Sequence, residues 1–257
     1  MKARPTVVIA GLGLVGGSLA RALPRQRWRV LGVDRAPVLR RARAAGVIEG
    51  SFLKLEAAAC EADIVVLAAP PEANVRLLQR LAAVGTAAIV TDVGSVKGPI
   101  CREARRLGLR RFVGGHPMAG TEASGFGAST ADLFRRRPWI LIPAGGIAGR
   151  RVRALVRAVG ARPVAMTAAA HDRSVAFLSH VPQLASWAIE DALAGDSVAR
   201  RYRHIAGPGF HDMTRLARSP RRLWRDILLQ NRHEVLRALT ALERRLRRST
   251  DALRGRR

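Results

Sequence analysis

Val7-Val8-Ile9-Ala10-Gly11-Leu12-Gly13-Leu14-Val15-Gly16-Gly17-Ser18 passes from an apolar, largely β-branched run into closely spaced glycines. Such a run reads as a buried parallel strand, and Gly11, Gly13 and Gly16 stand at the G-x-G-x-x-G spacing of a dinucleotide-binding turn. In that turn the first glycine permits the tight bend, the second lets a pyrophosphate approach the backbone, and the third lets helix and strand pack closely. The N–H groups at the helix start, beginning with Leu14 and Val15, then face the phosphates.

Residues 19–23 are helical in character and stop before Pro24, and residues 28–34 read as a second strand closing on Asp34. Asp34 lies near the distance at which such folds place an acid on the adenosine ribose. An acid there repels a 2′-phosphate and favours NAD, whereas the neighbouring Arg35 guanidinium suits NADP. Residues 36–45 predict a helix ended by Gly46, while residues 50–61 carry no clear period. A third apolar run, 62–69, is stopped by Pro70 and Pro71 and leads into a helix over 72–83. Pro70, at the carboxyl end of that strand, joins the candidate cofactor-binding residues. A fourth strand begins at residue 87 and ends in the polar segment Thr91-Asp92-Val93-Gly94-Ser95-Val96-Lys97. Ligands of open parallel sheets sit outside the carboxyl ends of strands, which makes Ser95 and Lys97 site candidates.

Residues 112–122 repeat the pattern, a short strand opening into a glycine-rich loop with His116 at its tip. Strands over 139–143 and around 163–166, with a helix over 149–159, are expected to close the first domain. The alternation predicts an α/β architecture with a Rossmann-type doubly wound sheet. Beyond residue 168 helical spacing takes over. One helix is predicted over 171–193, with Val175, Leu178, Leu184, Trp187 and Ile189 as apolar surface and Gly195 at its end. Gly207-Pro208-Gly209 interrupts the chain. Pro220 is placed to start one long final helix whose stripe is Leu223, Ile227, Val235, Leu239, Leu242 and Leu246. The division is a dinucleotide-binding domain, 1–168, and an all-helical C-terminal domain, 169–257.

With 257 residues the chain is long enough to bury a proper core. No apolar run approaches the ~18 residues of a membrane span. The first strand begins by residue 7, which leaves no room for a signal peptide and predicts a cytoplasmic protein. Cys60 and Cys101 are isolated, so neither a disulfide framework nor a metal site is expected. The formal charge of +26 raises the question of nucleic acid. Yet the excess arginine is spread through alanine-rich helices, aromatics are few with a single Tyr, and no nucleic-acid motif is present. Retention on polyanions at low salt is expected, without a specific nucleic-acid partner.

Five motifs, taken in chain order, add up to more than a nucleotide fold. They are 11–18; Thr91 to Lys97; Gly115-His116-Pro117-Met118-Ala119-Gly120-Thr121-Glu122; Ser179-His180-Val181-Pro182-Gln183; and Gly209-Phe210-His211-Asp212-Met213-Thr214-Arg215. This set resembles the prephenate/arogenate dehydrogenases of tyrosine biosynthesis over nearly the whole chain. The resemblance implies NAD(P)-dependent oxidative decarboxylation of a cyclohexadienol, either prephenate to 4-hydroxyphenylpyruvate or arogenate to tyrosine. Hydride leaves the ring carbon bearing the hydroxyl, CO₂ leaves the opposite carbon, and the ring aromatises. A base must engage the hydroxyl as its carbon becomes carbonyl-like; imidazole suits this near neutral pH, and His116 is the candidate. The family pattern implies that Ser95 orients the histidine and the substrate hydroxyl, and that Arg215 clamps a substrate carboxylate. It also implies that Thr121, Glu122 and Trp224 line the pocket, for which Glu122 as a solvated acid and Trp224 as a core residue are the bland alternatives. Lys97 supports its loop or attracts the anionic substrate.

Gln183 stands where family members often carry a second histidine. A neutral amide accepts from an ammonium, which leans the reading toward arogenate. His180 reads as a packing histidine and His171 as a helix start. A homodimer is expected, and the chain's end at residue 257 predicts no separate tyrosine-sensing domain. Two other readings stay open: a related reductase or β-hydroxyacid dehydrogenase, and an NAD-binding sensor without turnover. The first usually relies on a helix lysine, whereas Lys2, Lys54 and Lys97 all lie in the first domain.

Overall fold

β1 (Thr6–Ala10) buries all five of its side chains. Its neighbours explain why. The computed structural model describes residues 4–121, 123–143 and 145–255, the Leu223 side chain aside. It pairs β1 in parallel with β2 (Arg29–Val33) on one side and β4 (Ile64–Leu67) on the other. β3 (Gly50–Phe52), β5 (Ile89–Asp92) and β6 (Phe112–Val113) complete a parallel sheet of order β3-β2-β1-β4-β5-β6. Strand side chains alternate between faces, and the core divides accordingly. Val7, Ile9, Ile64 and Val66 belong to one apolar cluster. Val8, Ala10, Val65 and Leu67 belong to another. A strand covered on both faces needs apolar residues at every position, which is why β1 and β4 read as unbroken apolar runs.

The crossovers are α1 (Leu14–Ala22), α2 (Ala36–Ala44), α3 (Leu55–Ala59), α4 (Pro71–Ala83) and α5 (Gly98–Arg106). β3 and α3 occupy residues 50–61, where three- and five-residue elements are too short to show a period. The strand order reverses at β1 and β4, and the crevice outside their carboxyl ends is where this topology places ligands.

The later strands do not extend this sheet, as their apolar pattern alone suggests. β6 runs for only two residues, after which the chain passes Gly114 into β7 (Gly115–Pro117). β7 pairs antiparallel with β8 (Pro138–Leu141), and β8 pairs in parallel with β9 (Arg162–Ala165), giving a second, three-stranded sheet. α6 (Gly146–Ala158) joins β8 to β9.

The chain divides into two compact units, Met1–His171 and Asp172–Arg257. α7 (Ala168–Val175) carries the boundary. In the second unit the predicted 171–193 helix is continuous but contains a widened π-helical segment, Ala176–His180, before α8 (Val181–Gly195). Pro182 accounts for it: the ring lacks an N–H and crowds the preceding turn, and the wider turn relieves that crowding. α9 (Ser197–Arg201) and α10 (Pro208–Thr214) follow.

The single final helix is corrected to two, α11 (Arg221–Gln230) and α12 (Arg232–Leu253). Asn231 lies between them in a non-helical conformation. Its amide donates to Asp172 O at 2.8 Å and meets His180 Nδ1 at 3.2 Å. The apolar stripe could not reveal this break, because its cause is one buried amide. Val235 and Ala238 pack with Ala176 and Val181, flanked by Leu184, Leu239 and Leu242. Leu178 and Leu246 remain 76% and 58% exposed, so neither belongs to this core.

No helix among the described residues is long and apolar enough to cross a membrane. Several surface acids are taken by arginine. Arg106 and Gln79 hold the Glu103 carboxyl down to about 2, and Arg203 and Arg80 lower those of Glu190 and Glu56. Such exposed pairs contribute little to stability.

Candidate active site

The glycine turn has the geometry its spacing predicts. Gly11 adopts φ +100°, and Gly11 N–H donates to Val33 O at 2.8 Å. A Cβ at Gly16 would lie 1.8 Å from Gly11 O, so α1 can approach the turn only with glycine there. A Cβ at Gly13, by contrast, would meet nothing within 4 Å. Open space at the second glycine, and an α1 N-terminus without a side-chain cap, leave backbone donors for an anion. Asp34, half-buried at the end of β2, accepts from Leu12 N at 2.6 Å and from Arg35 N at 2.7 Å. The backbone thereby orients its carboxylate beside the turn, while Arg35 is exposed at the start of α2. Exposed Pro70 precedes α4, whose Asn74 accepts from Ala69 N at 3.0 Å and donates to Leu67 O at 3.3 Å. These residues fit a dinucleotide.

At the carboxyl end of β5 the chain builds a buried ionic frame. Asp92 and Lys97 are 1% and 0% exposed and form an ion pair. Asp92 also accepts from Gly94 N at 2.9 Å and from Gly115 N at 3.1 Å, and Lys97 Nζ donates to Gly115 O at 2.7 Å. Ser95 lies half-buried within the loop this frame closes, and His116 is the residue after Gly115 on β7. The frame ties the segment carrying Ser95 to the strand carrying His116. It also settles Lys97: a buried, paired ammonium supports the loop and is not a surface lure for anions. His116 is half-buried, and its Nδ1 lies 2.8 Å from Nε2 of His171, which is fully buried. Thr121 is exposed, and Glu122 lies outside the described residues.

Within the second unit, Gln183 and Trp187 occupy one face of α8. Gln183 Nε2 donates to Leu216 O at 2.8 Å and Trp187 Nε1 to Ala217 O at 3.2 Å. Both bonds hold the short turn Arg215–Arg218, whose first residue, Arg215, is exposed. Gln183 is fully buried, yet its Oε1 has no hydrogen-bond partner among the described residues. Trp224 packs edge-on against His180 at 5.9 Å and Trp187 at 6.4 Å between ring centroids, an aromatic cluster inside this unit. His180, 1% exposed, is the packing histidine its position predicts.

Two family models match the chain, one described as "Prephenate dehydrogenase, nucleotide-binding domain" over residues 19–166 and one as "Prephenate dehydrogenase, dimerization domain" over 167–257. The chain belongs to the prephenate dehydrogenase family. A prephenate dehydrogenase of Lactococcus lactis is 32% identical over 235 residues, 88% of this chain and 64% of the relative, so the chain spans under two thirds of that protein's length. Among solved structures, prephenate dehydrogenase from Aquifex aeolicus in complex with hydroxyphenyl propionate and NAD+ superposes with a TM-score of 0.86 at 29% identity. That match covers 98% of this chain and 92% of the other. Synechocystis arogenate dehydrogenase gives 0.82 at 28%, covering 97% and 92%.

Two residues of this family member escaped the sequence reading. Asp92 reads as an ordinary strand end, and only its five-residue spacing to Lys97 across a tight turn hints at a pair. His171 reads as a helix start, because its partner His116 is 55 residues away.

Proposed function

We propose that this chain catalyses NAD-dependent oxidative decarboxylation of prephenate, arogenate or both. The observation that carries this reading is the Asp92–Lys97–Gly115 frame, which fixes the Ser95 loop to the His116 strand at the carboxyl end of the sheet that also bears the glycine turn. In this reading Gly11, Gly13, Leu14, Val15, Gly16, Asp34, Arg35 and Pro70 hold NAD. Asp34 favours NAD over NADP because a second negative charge beside an oriented carboxylate is repelled. NAD, when bound, supplies the hydride acceptor. His116 accepts the proton of the ring hydroxyl, Ser95 orients that hydroxyl, and Arg215 binds a carboxylate through its planar fork. Thr121, Glu122 and Trp224 line the substrate site. Gln183 Oε1, a buried acceptor without a partner among the described residues, supports a substrate side chain that donates, as the ammonium of arogenate does. Residues 1–168 carry the cofactor together with Ser95, His116, Thr121 and Glu122, and 169–257 carry the remaining substrate contacts and the homodimer interface, the latter supported by the name of the second family model. The enzyme works in the cytoplasm with no specific nucleic-acid partner.

The test is purified protein mixed with prephenate or arogenate and NAD or NADP, followed at the nicotinamide absorbance. Turnover is expected, faster with NAD than with NADP; no turnover in all four mixtures would overturn the reading. Two variants probe its parts. Gly16→Ala is expected to weaken NAD binding at least tenfold by calorimetric titration, because the new methyl cannot share space with Gly11 O. Arg215→Ala is expected to raise KM for substrate about 10–100-fold with kcat nearly unchanged, the loss of a charged hydrogen bond made equally in ground and transition states.

A further inference from the structure

The His116–His171 contact has a chemical consequence that depends on the proposed role of His116 as base. Two imidazole nitrogens 2.8 Å apart, with ring centroids at 5.1 Å and planes at 71°, hold a hydrogen bond only if one proton lies between them. Heavy-atom positions leave two arrangements. If His171 Nε2–H donates, neutral His116 carries its own proton on Nε2 and cannot accept one there. If His116 Nδ1–H donates, its Nε2 keeps the lone pair that a base needs.

We propose that His171 is the positioning residue of the site: its Nε2 accepts from His116 Nδ1–H, fixing the tautomer that makes His116 Nε2 a proton acceptor. For neutral His171 this requires its own proton on Nδ1. The surroundings suit such a fixed partner. The His116 backbone is paired with Ile140 of β8 and flanked by the contacts of Gly115 to Asp92 and Lys97, so the position from which the ring projects is fixed. His171 is fully buried on α7, with its backbone N–H donating to Thr167 O at 2.9 Å, and therefore presents Nε2 from a constrained position. A histidine ring that makes a bond through one nitrogen has the protonation of the other decided for it. When the substrate hydroxyl gives its proton to His116 Nε2, the resulting imidazolium keeps its Nδ1–H bond to His171, which stabilises the charge as it forms.

Three variants and one spectrum separate this role from simple packing. His171→Phe keeps a ring but removes the acceptor, and His171→Gln keeps an acceptor oxygen on an open-chain side chain of similar reach. With NAD and the better substrate, His171→Phe is expected to lose about 10–100-fold in kcat at unchanged KM, because the acceptor acts only through the base. His171→Gln is expected to keep most of kcat. In ¹⁵N-histidine-labelled protein, the His116 ring, assigned by its absence in His116→Asn, is expected to show a protonated Nδ1 in the wild type and in His171→Gln, and a protonated Nε2 in His171→Phe. Equal kcat losses in the Phe and Gln variants, a Phe variant within twofold of wild type, or a wild-type His116 protonated on Nε2 would each overturn the proposal. The spectrum is read without turnover. A correct tautomer in a wild-type protein that oxidises neither substrate would therefore count against the assigned reaction and not against the pair. If His171→Phe does not fold, the wild-type tautomer decides alone.

Discussion

His116→Asn is expected to lower kcat by about 10²–10⁴-fold, the range attributable to one positioned acid or base. NAD affinity and thermal stability should change little. The reasoning is local. Asn removes the only nitrogen at this position able to take a proton near neutral pH, yet retains a polar group of smaller size facing His171. The backbone of residue 116 is held by its pairing with Ile140 and by the frame on Gly115, none of which involves the imidazole. The bonds that shape the cofactor turn are made elsewhere: Gly11 bonds to Val33 and Asp34 to Leu12 and Arg35. The prediction is checked by steady-state kinetics beside calorimetric NAD titration. A variant with wild-type kcat would remove His116 from the chemistry, and one that also loses NAD binding would show a role in the fold instead.

The second large effect is on stability. Lys97→Met is expected to destabilise the chain by about 3–5 kcal/mol, since removing one partner of a buried ion pair strands the other charge. In a chain of this size that corresponds to a fall in Tm of roughly 6–20 °C. Asp92 would keep the Gly94 and Gly115 N–H bonds but lose its counter-charge, and Gly115 O would lose its donor. Because the stranded charge is the main penalty, the double variant Asp92→Asn/Lys97→Met is expected to recover part of the loss. Both variants should lower kcat as well, since the loop carrying Ser95 is held by this pair. Urea unfolding of the wild type and the two variants decides it. An unchanged midpoint in Lys97→Met would show that the pair is not a structural anchor.

What could be read without coordinates follows the range of the forces involved. β1, β4 and the glycine turn were legible because burial on both faces and close backbone approach each leave a local trace, in consecutive apolar residues and in glycine spacing. Ser95, His116, Gln183 and Arg215 were legible as motif members, but their surroundings were not. The ion pair of Asp92 and Lys97 and the bond between His116 and His171 connect residues whose types are individually unremarkable, and each depends on how the turn or the chain returns. The break at Asn231 was hidden for a related reason: an amide reaching Asp172 O overrides a stripe that continues on both sides of it. The second sheet escaped because β6 stops after two residues, and no apolar pattern announces where a strand changes sheet.

In the proposed reaction, hydride loss from the hydroxyl-bearing carbon is coupled to loss of CO₂ from the opposite carbon. Its most direct test is the stoichiometry of a single reaction mixture of wild-type protein, NAD and prephenate or arogenate, with reduced nicotinamide, CO₂ and phenolic product measured together. The three are expected to appear in equal amounts and at the same rate. Reduced nicotinamide formed without CO₂, or no reaction with either substrate, would contradict it.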